Sequence, residues 1–381
     1  MNLIYIANAR IPTEKAHGFQ IMKMCESFTS FGKVELVVPK RFNHIKEDPF
    51  DYYGINRIFK IKKLPCLDLI PLDRYFGHFG FWIENATFNF FVFFYILFKK
   101  ADVFYTRDKF IIPFSLFKKN IVFEAHTFPK KHFLYSFFSK RLKKTIVITQ
   151  KLKELFVEKG MLSEKILVAP DGVDLEKFNI EDNQKFYQKE LSLDKDKKIV
   201  GYTGRLETME QTKGIDILIR AFKILKEDFQ EVLLCCVGGP ERKVKEYMAF
   251  SKEIGIEEED IIFIDQVKQK LIPKYLKSFD VLAIPFPKTQ HYAFYASPLK
   301  LFEYMASKRP IVATDLPSTR EVLNKENSIL VGADSPESLA FGIKKALLNT
   351  QLSDKISKQA FLDVEKYTWK KRAENILNFI S

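Results

Sequence analysis

Short apolar runs alternate with amphipathic stretches along this chain, and the alternation predicts a parallel α/β fold. Residues 3–7 form an apolar run, and residues 19–31 form an amphipathic stretch that Gly32 ends. Residues 34–38 are the next apolar run. A strand, a loop, a helix and a second strand in this order open a parallel sheet. Further apolar runs of the first half lie at residues 103–105, 121–123, 145–148 and 166–169.

The second half repeats the pattern after a polar segment, residues 180–198, which is interpreted as a linker. Predicted strands follow at residues 199–202, 232–237, 261–264, 281–284, 311–313 and 329–331. Predicted helices cover residues 215–225, 242–254, 271–278, 299–307 and 336–349. Two parallel α/β domains in series are expected to bind a ligand at the carboxyl ends of their strands, in a crevice between the domains.

The most hydrophobic stretch, residues 76–98, is predicted not to cross a membrane. Glu84, Asn85 and Asn89 interrupt it, and its longest uninterrupted apolar run has nine residues, 90–98. A transmembrane helix needs about 20 predominantly apolar residues. A buried helix packed between a sheet and a neighbour is the favoured interpretation, and an interfacial or re-entrant element is the alternative.

Length and charge add a second kind of information. A chain of 381 residues is too long for one ordinary core, which favours two domains. Residues 1–150 hold 24 Lys and Arg against 12 Asp and Glu, and also 24 of the 38 Phe, whereas the rest of the chain is nearly neutral. The net charge of +13 therefore lies almost wholly in the aromatic first part. Such a surplus suits nucleic acid, acidic lipid or a phosphorylated small molecule as partner, and indicates no fold.

Cysteine usage and the N-terminus suggest a compartment. The four cysteines are scattered and lack zinc-ligand spacing, which favours a reducing cytosol over a disulfide framework. The first residues resemble a strand rather than a signal peptide. The protein is therefore expected to be cytoplasmic.

The strongest local motif is a predicted helix start at residues 297–306. Ser297 suits an N-cap and Pro298 suits the first helical position. The free N–H groups of the first turn, at Leu299 and Lys300, would form an anion site. Glu303, about one and a half turns further along, could accept hydrogen bonds from ribose hydroxyls. A well-capped core helix with one exposed glutamate is the competing interpretation.

A second motif places two cations after a predicted strand. Arg205 follows Gly204, and Lys213 precedes the next predicted helix. Arginine supplies a planar fork and lysine a compact charge, so the pair suits a diphosphate, although two solvated loop cations would look the same. No Gly-x-Gly-x-x-Gly fingerprint follows a strand and no Gly-Lys-Ser/Thr phosphate loop occurs, so dinucleotide enzymes and loop-type kinases lose support.

Candidate residues of the first half also follow predicted strands. Gly18 would allow close backbone approach of a ligand at a helix start. His126 follows a strand and could hydrogen-bond a substrate hydroxyl or a phosphate, although a lone histidine is often structural. Arg107 and Asp108 are interpreted as a local ion pair.

Taken together, these motifs resemble retaining glycosyltransferase family 4. The residues that carry the resemblance are 170–174 with Phe178, 204–206 with 213–214, 297–306 with 308–314, and 367–369 with Arg372 and Ala373. The resemblance implies the GT-B fold, an α/β fold of two Rossmann-like parallel domains that face each other across a cleft. Residues 1–190 would be the acceptor-side domain, residues 191–360 the nucleotide-sugar-binding domain, and residues 361–381 a helix that crosses back to the first.

The resemblance also implies the roles of the site residues. Arg205 and Lys213 would neutralise the donor diphosphate, Glu303 would hold the ribose, and backbone groups near Ser297, Leu299 and Lys300 would contact the β-phosphate. Gly18 would admit the donor phosphates and His126 would face the transferred sugar. No metal or other cofactor is implied beyond the donor substrate, a nucleotide-diphosphate sugar with UDP or GDP.

One position departs from the family pattern. Many members carry a second glutamate eight residues before the one that corresponds to Glu303, and this chain has Tyr295 there. The sugar contacts of that loop must then come from backbone, aromatic or hydroxyl groups.

A basic and aromatic segment is predicted to meet the acceptor, a lipid-linked or membrane-associated glycan, at an anionic membrane surface. Its residues are Lys130, Lys131, Phe133, Phe137, Phe138, Lys140, Arg141, Lys143 and Lys144. The protein would then be a hexosyltransferase, peripheral on the inner face of the cytoplasmic membrane. A solvated lysine-rich surface over buried aromatics is the alternative.

Three other functions stay open. A sugar-nucleotide epimerase of the same fold would bind the donor without an acceptor. A basic nucleic-acid-binding protein is suggested by charge alone, but no nucleic-acid-binding module is evident, so nucleic acid is not expected as a partner. A catalytically silent protein of the same fold is raised by Tyr295.

Overall fold

The structure, a computed structural model, describes residues 1–128, 137–138, 140–208 and 211–381. It divides the chain into two compact units. The first unit consists of Met1–Asp171 and Trp369–Ser381, and the second unit is Gly172–Thr368. Each unit is a parallel α/β structure, as the alternation of apolar runs predicts.

The first unit is built on a seven-stranded sheet in which all paired strands are parallel. The strands are β1 (Asn2–Ile6), β2 (Lys33–Pro39), β3 (Lys60–Leu64), β4 (Val103–Thr106), β5 (Ile121–Ala125), β6 (Lys144–Val147) and β7 (Ile166–Val168), in the order β3-β2-β1-β4-β5-β6-β7. The central strands β1, β4 and β5 are almost fully buried, because helices cover a parallel sheet on both faces. Tyr5, Phe28 and Tyr105 stack edge to face in this core.

The following α-helices of the described part of this unit lie between the strands. They are α1 (Ala16–Phe28), α2 (Pro49–Tyr53), α3 (Asp73–Phe76), α4 (Phe79–Phe98) and α5 (Gln150–Glu158), and short 3₁₀ helices cover Thr29–Phe31, Ile70–Leu72, Lys109–Leu116 and Ser163–Lys165. Helix α1 starts at Ala16, earlier than the amphipathic pattern predicts, so Gly18 lies inside its first turn.

The second unit has a six-stranded parallel sheet and a short antiparallel ribbon. The sheet strands are β8 (Lys198–Thr203), β11 (Val232–Val237), β12 (Ile261–Ile264), β13 (Val281–Ile284), β14 (Ile311–Thr314) and β15 (Ile329–Val331), in the order β12-β11-β8-β13-β14-β15; the ribbon pairs β9 (Glu207–Thr208) with β10 (Gln211–Thr212). Sheet order reverses beside β8, which is where ligands bind in open α/β sheets.

Helices pack around this second sheet. They are α6 (Leu175–Phe178), α7 (Gln184–Glu190), α8 (Ile215–Asp228), α9 (Glu241–Glu253), α10 (Ile272–Ser278), α11 (Leu299–Ala306), α12 (Pro317–Arg320), α13 (Pro336–Leu348) and α14 (Thr350–Val364), with 3₁₀ helices at Glu258–Asp260, Gln269–Leu271 and Glu365–Tyr367 and a π-helical turn at His291–Tyr295. The last helix, α15 (Trp369–Ile380), belongs to the first unit and packs on α1. Its Trp369 meets the ring of Phe19 edge to face.

The division between the units differs from the predicted boundary after residue 190. It falls after Asp171, because the predicted linker is a folded part of the second unit. The side chain of Gln188 donates to the carbonyl of Ser278 at 3.0 Å, and Arg309 donates to the carboxylate of Asp182 at 2.8 Å. The charged residues of the predicted linker therefore do not prevent it from forming a helix. That helix makes only a few polar contacts with its unit.

Helix α4 departs most from its predicted environment. By length and composition it is the one helix within the described residues that could cross a membrane, whereas the sequence predicts none. It is also not a helix buried between a sheet and a neighbour, since only 28% of its apolar window is buried. Its aromatic side chains are largely exposed on the first unit, with Phe90 58% and Phe98 79% accessible.

Replacing Gly201 in β8 with alanine is expected to destabilise the second unit. A Cβ at this position would overlap the ring of the fully buried Phe279. Overpacking of this kind costs typically about 1–3 kcal/mol. Hydrogen exchange of β8 and β11 peptides should accelerate accordingly. The matched control is Gly332→Ala, whose Cβ would meet Ser338 Oγ at an ordinary 3.4 Å, and equal exchange in both variants would contradict this packing.

Candidate functional site

Two glycine turns bring the loops after β8 and β11 close together in the second unit. Gly204 has φ +115° and Gly238 has φ +144°, values that side-chain-bearing residues rarely adopt. A Cβ on Gly238 would overlap the carbonyl oxygen of Gly204. These glycines therefore let the backbone pack closely at the carboxyl ends of the two strands, as a close-approaching ligand site requires.

Lys300 is buried beside the Gly204 turn, and its amine has no partner there. The residue is 6% exposed, and its Nζ lies 3.5 Å from the centre of the Tyr202 ring. Within the described residues, no hydrogen-bond partner reaches this Nζ. A Cβ on Gly204 would lie 3.1 Å from it, so a larger residue at the turn would crowd the amine. Burial, with the positive charge of Lys213 as a further cause, lowers the pKa of Lys300 well below its ordinary value.

Helix α11, which carries Lys300, starts one residue later than predicted. Pro298 rather than Ser297 occupies the N-cap, with extended backbone, and Leu299 is the first helical residue. Proline has no side-chain acceptor, so no side chain caps the helix. As in the first turn of any helix, the N–H groups of Leu299 and Lys300 have no carbonyl group of the same helix to bond to. This start can therefore accept an anion.

A buried tyrosine fixes this helix to the end of β8. Tyr304, on α11, accepts a hydrogen bond at its hydroxyl from the backbone N–H of Thr203 at 2.7 Å. Both residues are almost fully buried. The bond joins the helix to the residue just before Gly204, so the helix N-terminus and the glycine turn are held in one place.

Arg205 and Lys213 add two further cations to the same surroundings. Arg205 is half-buried, and its carbonyl accepts from the hydroxyl of Tyr202 at 3.0 Å. Lys213 precedes Gly214, which has φ +77° and is the N-cap of α8. Burial and the charge of Arg205 lower the pKa of Lys213 to about 8. The charge of Arg205 thus acts on Lys213, and the charge of Lys213 acts on Lys300.

Glu303 lies on the same helix and has a partner that the sequence does not suggest. Its Oε1 accepts from the side-chain amide of Gln269 at 2.7 Å. Burial raises the pKa of Glu303, although Gln269 and the charge of Lys300 oppose that rise. The carboxylate is therefore held by an amide and not by a full salt bridge, which leaves it acceptor capacity for hydroxyl groups.

The loop that carries Tyr295 forms the π-helical turn. The hydroxyl of Tyr295 accepts from the side-chain amide of Gln290 at 3.1 Å. His291, in the same turn, is half-buried, and burial together with the charge of Lys213 lowers its pKa. His291 is thus a neutral group near Lys213 that sequence reasoning missed; its signal was its place eight residues before Leu299 in an aromatic loop.

The second unit therefore gathers three cations, two uncapped helix N-termini and one carboxylate around the ends of its central strands. Chemically, this arrangement can bind a phosphate-bearing anion and orient hydroxyl groups beside it. No group of three or more His, Cys, Asp or Glu side chains could hold a metal ion in the parts of the chain that the structure describes.

In the first unit, His126 belongs to a buried polar network. Its Nε2 lies 2.6 Å from Oε1 of Glu124, whose other oxygen accepts from the hydroxyl of Tyr105. Burial, with the charge of Arg107 as a further cause, lowers the pKa of His126 to about 4. The imidazole is therefore neutral at pH 7. Because Glu124 is bonded to Nε2, it fixes the orientation of the ring and so decides which ring atoms other groups can reach.

Arg372 compensates the charge of Glu124. The guanidinium donates to Glu124 Oε2 at 3.3 Å and to the carbonyl of Pro170 at 2.8 Å. Burial alone would raise the pKa of Glu124, but Arg372 holds it well below its ordinary range. Asp171 is buried nearby and accepts from Gln20; burial raises its pKa to about 6. Sequence reasoning noted these positions only as family motifs and did not predict the network.

Two other expectations for the first unit meet different surroundings. Arg107 donates to Gln20, and Asp108 accepts from the N–H of Phe110, so the interpretation of the two as a local ion pair is wrong. The space beside Gly18 is filled by the hydroxyl of Tyr53. Gly18 therefore has a packing role, and its contact with a ligand stays a prediction.

The predicted basic and aromatic segment is only partly described. Lys130, Lys131 and Phe133 lie outside the described residues. Arg141 stacks on the ring of Phe137, which itself packs on Phe138. Lys144 donates to the carbonyl of Glu164 and lies over Phe379, so it takes part in the fold of the unit. Lys140 is exposed and Lys143 is half-buried. An acceptor role for this segment stays a prediction.

Most of the second unit matches the model of a known protein family. Residues 197–349 match the model described as Glycosyl transferases group 1. The matched span runs from β8 to the end of α13 and includes Arg205, Lys213, Lys300 and Glu303.

Two characterised relatives are similar in sequence over part of the chain. A D-inositol 3-phosphate glycosyltransferase of Jonesia denitrificans is 25% identical over 56% of this chain and 50% of its own length. A phosphatidyl-myo-inositol mannosyltransferase of Mycobacterium leprae is 29% identical over 47% of this chain and 45% of its own length. The chain thus spans about half the length of the curated relatives it matches.

A solved structure matches over nearly the whole chain. Anabaena Alr3699/HepE in complex with UDP and glucose aligns with a TM-score of 0.74 over 99% of this chain and 98% of its own, at 16% identity. An identity this low shows the fold alone. The two parallel α/β units therefore have the GT-B fold, as the sequence motifs predict.

The Glu124–Arg372 pair is expected to control the stability of the first unit. Arg372→Met leaves Glu124 buried without its cation, which costs about 3–5 kcal/mol. Both tryptophans of the chain, Trp82 and Trp369, lie in this unit, so tryptophan fluorescence during urea unfolding reports on it.

The double variant Glu124→Gln/Arg372→Met serves as the control, because it removes both charges. It should recover at least half of the lost stability. A double variant as unstable as Arg372→Met would contradict the electrostatic cause and indicate lost packing instead.

Proposed function

We propose that this chain, in which residues 197–349 form a domain of the Glycosyl transferases group 1 family, transfers a sugar from a nucleotide-diphosphate donor to a glycan or lipid-linked acceptor. The observation that carries the proposal is the cation cluster of the second unit: the buried, unpartnered amine of Lys300 with Arg205 and Lys213. A buried lysine amine without a hydrogen-bond partner is costly, and a diphosphate would supply acceptor oxygens and negative charge.

The chemistry follows from where charge develops. Breaking the bond between the sugar and the diphosphate places negative charge on the leaving group. Arg205 offers a planar fork, while Lys213 and Lys300 offer compact ammonium groups beside an uncapped helix start. Preorganised groups of this kind stabilise the transition state more than the intact donor. We propose that Glu303 accepts hydrogen bonds from the ribose.

The proposal includes a retaining reaction that uses no metal ion. The three cations would take over the neutralisation that a divalent metal otherwise supplies to a diphosphate. The first unit would bind the acceptor, and the neutral imidazole of His126, oriented by Glu124, would hydrogen-bond a sugar hydroxyl. The name of one relative, a phosphatidyl-myo-inositol mannosyltransferase, favours a lipid as acceptor class.

The first test concerns the two half-buried members of the cluster, Arg205 and Lys213. Arg205→Ala and Lys213→Ala are each expected to lower kcat/KM at least about 100-fold, because each removes charge stabilisation of the leaving diphosphate. The assay first ranks UDP- and GDP-sugars by thermal shift and then follows nucleotide release with the best donor.

The matched control is Lys223→Ala, an exposed lysine on α8 outside the cluster, which should keep normal turnover. Near-normal turnover in both cluster variants would overturn the diphosphate assignment. Loss of turnover on addition of EDTA would contradict the metal-free reaction.

The second test concerns Lys300, where stability and binding should change in opposite directions. Lys300→Met keeps an unbranched side chain, one heavy atom shorter, and removes a buried amine without a hydrogen-bond partner, so the free protein should gain about 1–3 kcal/mol of stability. The same variant should bind the nucleoside diphosphate about 10- to 100-fold more weakly, since charge-assisted hydrogen bonds contribute about 1.5–3 kcal/mol. Calorimetric titration and thermal unfolding measure the two effects. A variant with unchanged affinity would show that Lys300 does not meet the donor.

A further inference from the structure

Helix α4 of the first unit exposes a continuous aromatic face. The exposed positions between Phe79 and Phe98 are all apolar: Phe79, Phe81, Trp82, Ala86, Phe90, Phe91, Phe94, Leu97 and Phe98. All residues of this helix are described, and none of its exposed positions carries a charged or polar side chain. A helix on a water-facing surface normally shows the opposite pattern, with polar residues outward.

The polar residues of the helix point inward instead. Glu84 is fully buried and accepts from the side-chain amide of Asn8 at 3.1 Å. Asn85 is also buried, and its side chain accepts from Asn89 at 2.8 Å. The bond between Asn89 and Asn85 lies within the helix, whereas the bond from Asn8 to Glu84 holds its inner side to the unit, and its aromatic side faces outward. Such an inverted distribution indicates that water is not the medium that the outer face meets.

Ring contacts extend this surface beyond the helix. Phe90 packs on Phe94 at 5.0 Å between ring centres, and Phe94 packs on Phe93 at 5.4 Å. Phe93 in turn packs on Phe117 at 5.4 Å, which is 61% exposed. Leu116 beside it is 50% exposed. We call the exposed side chains of α4 together with Leu116 and Phe117 the aromatic face; exposed apolar patches of this kind mark interaction sites.

Lysines border one end of the aromatic face. Lys99 and Lys100 directly follow Phe98 and are exposed, and Lys118 and Lys119 directly follow Phe117. They belong to the part of the chain with a surplus of 12 positive charges, residues 1–150. Aromatic side chains next to lysines match a bilayer surface with anionic lipid, which attracts basic residues that lie near it.

We propose that the aromatic face is a docking surface for an anionic lipid bilayer, with α4 lying in the interfacial plane. The helix does not span the bilayer, because the hydrogen bonds of Glu84 and the bond from Tyr95 to Glu35 keep its other side on the protein. Trp82 would sit at headgroup level, where tryptophan is preferred. This proposal stands without the glycosyl-transfer proposal.

The experiment uses the full-length protein and vesicles of two compositions, phosphatidylcholine alone and phosphatidylcholine with phosphatidylglycerol, at low salt. Co-sedimentation is expected with the anionic vesicles and much less with the neutral ones. The variant Phe90→Ser/Phe94→Ser/Phe98→Ser should reduce the partition coefficient at least tenfold. Phe341→Ser, which changes a 68% exposed phenylalanine of the second unit, is the matched control and should bind as the unchanged protein does.

Fluorescence supplies a second readout at the surface itself. Trp82 is 56% exposed and Trp369 is buried, so lipid binding should shift the emission of Trp82 to shorter wavelength and allow quenching by brominated lipid. Trp82→Phe should remove the lipid-dependent shift.

Each remaining outcome decides against the proposal. Absence of binding to anionic vesicles, or equal binding by the triple variant, would overturn it. Self-association without lipid that the triple variant abolishes, with no vesicle binding, would assign the face to a second copy. The triple variant should keep unchanged affinity for the nucleoside diphosphate, so failure here and failure of the glycosyl-transfer proposal are distinguishable.

Discussion

The second unit is organised around one energetic constraint, the buried amine of Lys300 that has no partner within the described residues. Tyr202 lies beneath it, Gly204 leaves space beside it, and Tyr304 holds its helix at the end of β8. Burial of an ammonium group in such surroundings is unfavourable unless a counter-charge arrives. In the free protein, this unfavourable burial of Lys300 is not offset. An anion that binds at the helix start would offset it.

In the first unit, by contrast, other side chains compensate the buried charge. Glu124 is matched by Arg372 and is also bonded to Tyr105 and His126, so its charge is satisfied without a ligand. Such a network fixes geometry, which suits a residue that must orient a substrate rather than bind its charge. In the proposed reaction, the compensated cluster of the first unit would position His126. The cluster of the second unit, which contains Lys300, would attract a diphosphate.

The sequence predicts the fold well because buried parallel strands appear as short apolar runs between amphipathic helices. It misses the edge strand Lys60–Leu64, whose lysines hide the strand pattern. It identifies Lys300 only through the backbone N–H group at the predicted helix start. Nothing in the sequence indicates that the side chain of this lysine is buried in the core. The inward direction of Glu84 on helix α4 is hidden for the same reason, since hydrophobic content gives no information on which face meets the protein. The place of His291, where the charge of Lys213 affects its pKa, depends on a π-helical turn that no local pattern indicates.

The most direct test of the central claim is calorimetric titration of a nucleoside diphosphate at pH 8 in two buffers that differ in ionisation enthalpy. At this pH the phosphates are fully ionised and do not exchange protons themselves. Burial lowers the pKa of Lys213 to about 8 and that of Lys300 well below its ordinary value, and a bound diphosphate would raise both pKa values. The account predicts that protons are taken up on binding and that Lys300→Met takes up markedly fewer. Binding without proton uptake, or equal uptake by the variant, would contradict it.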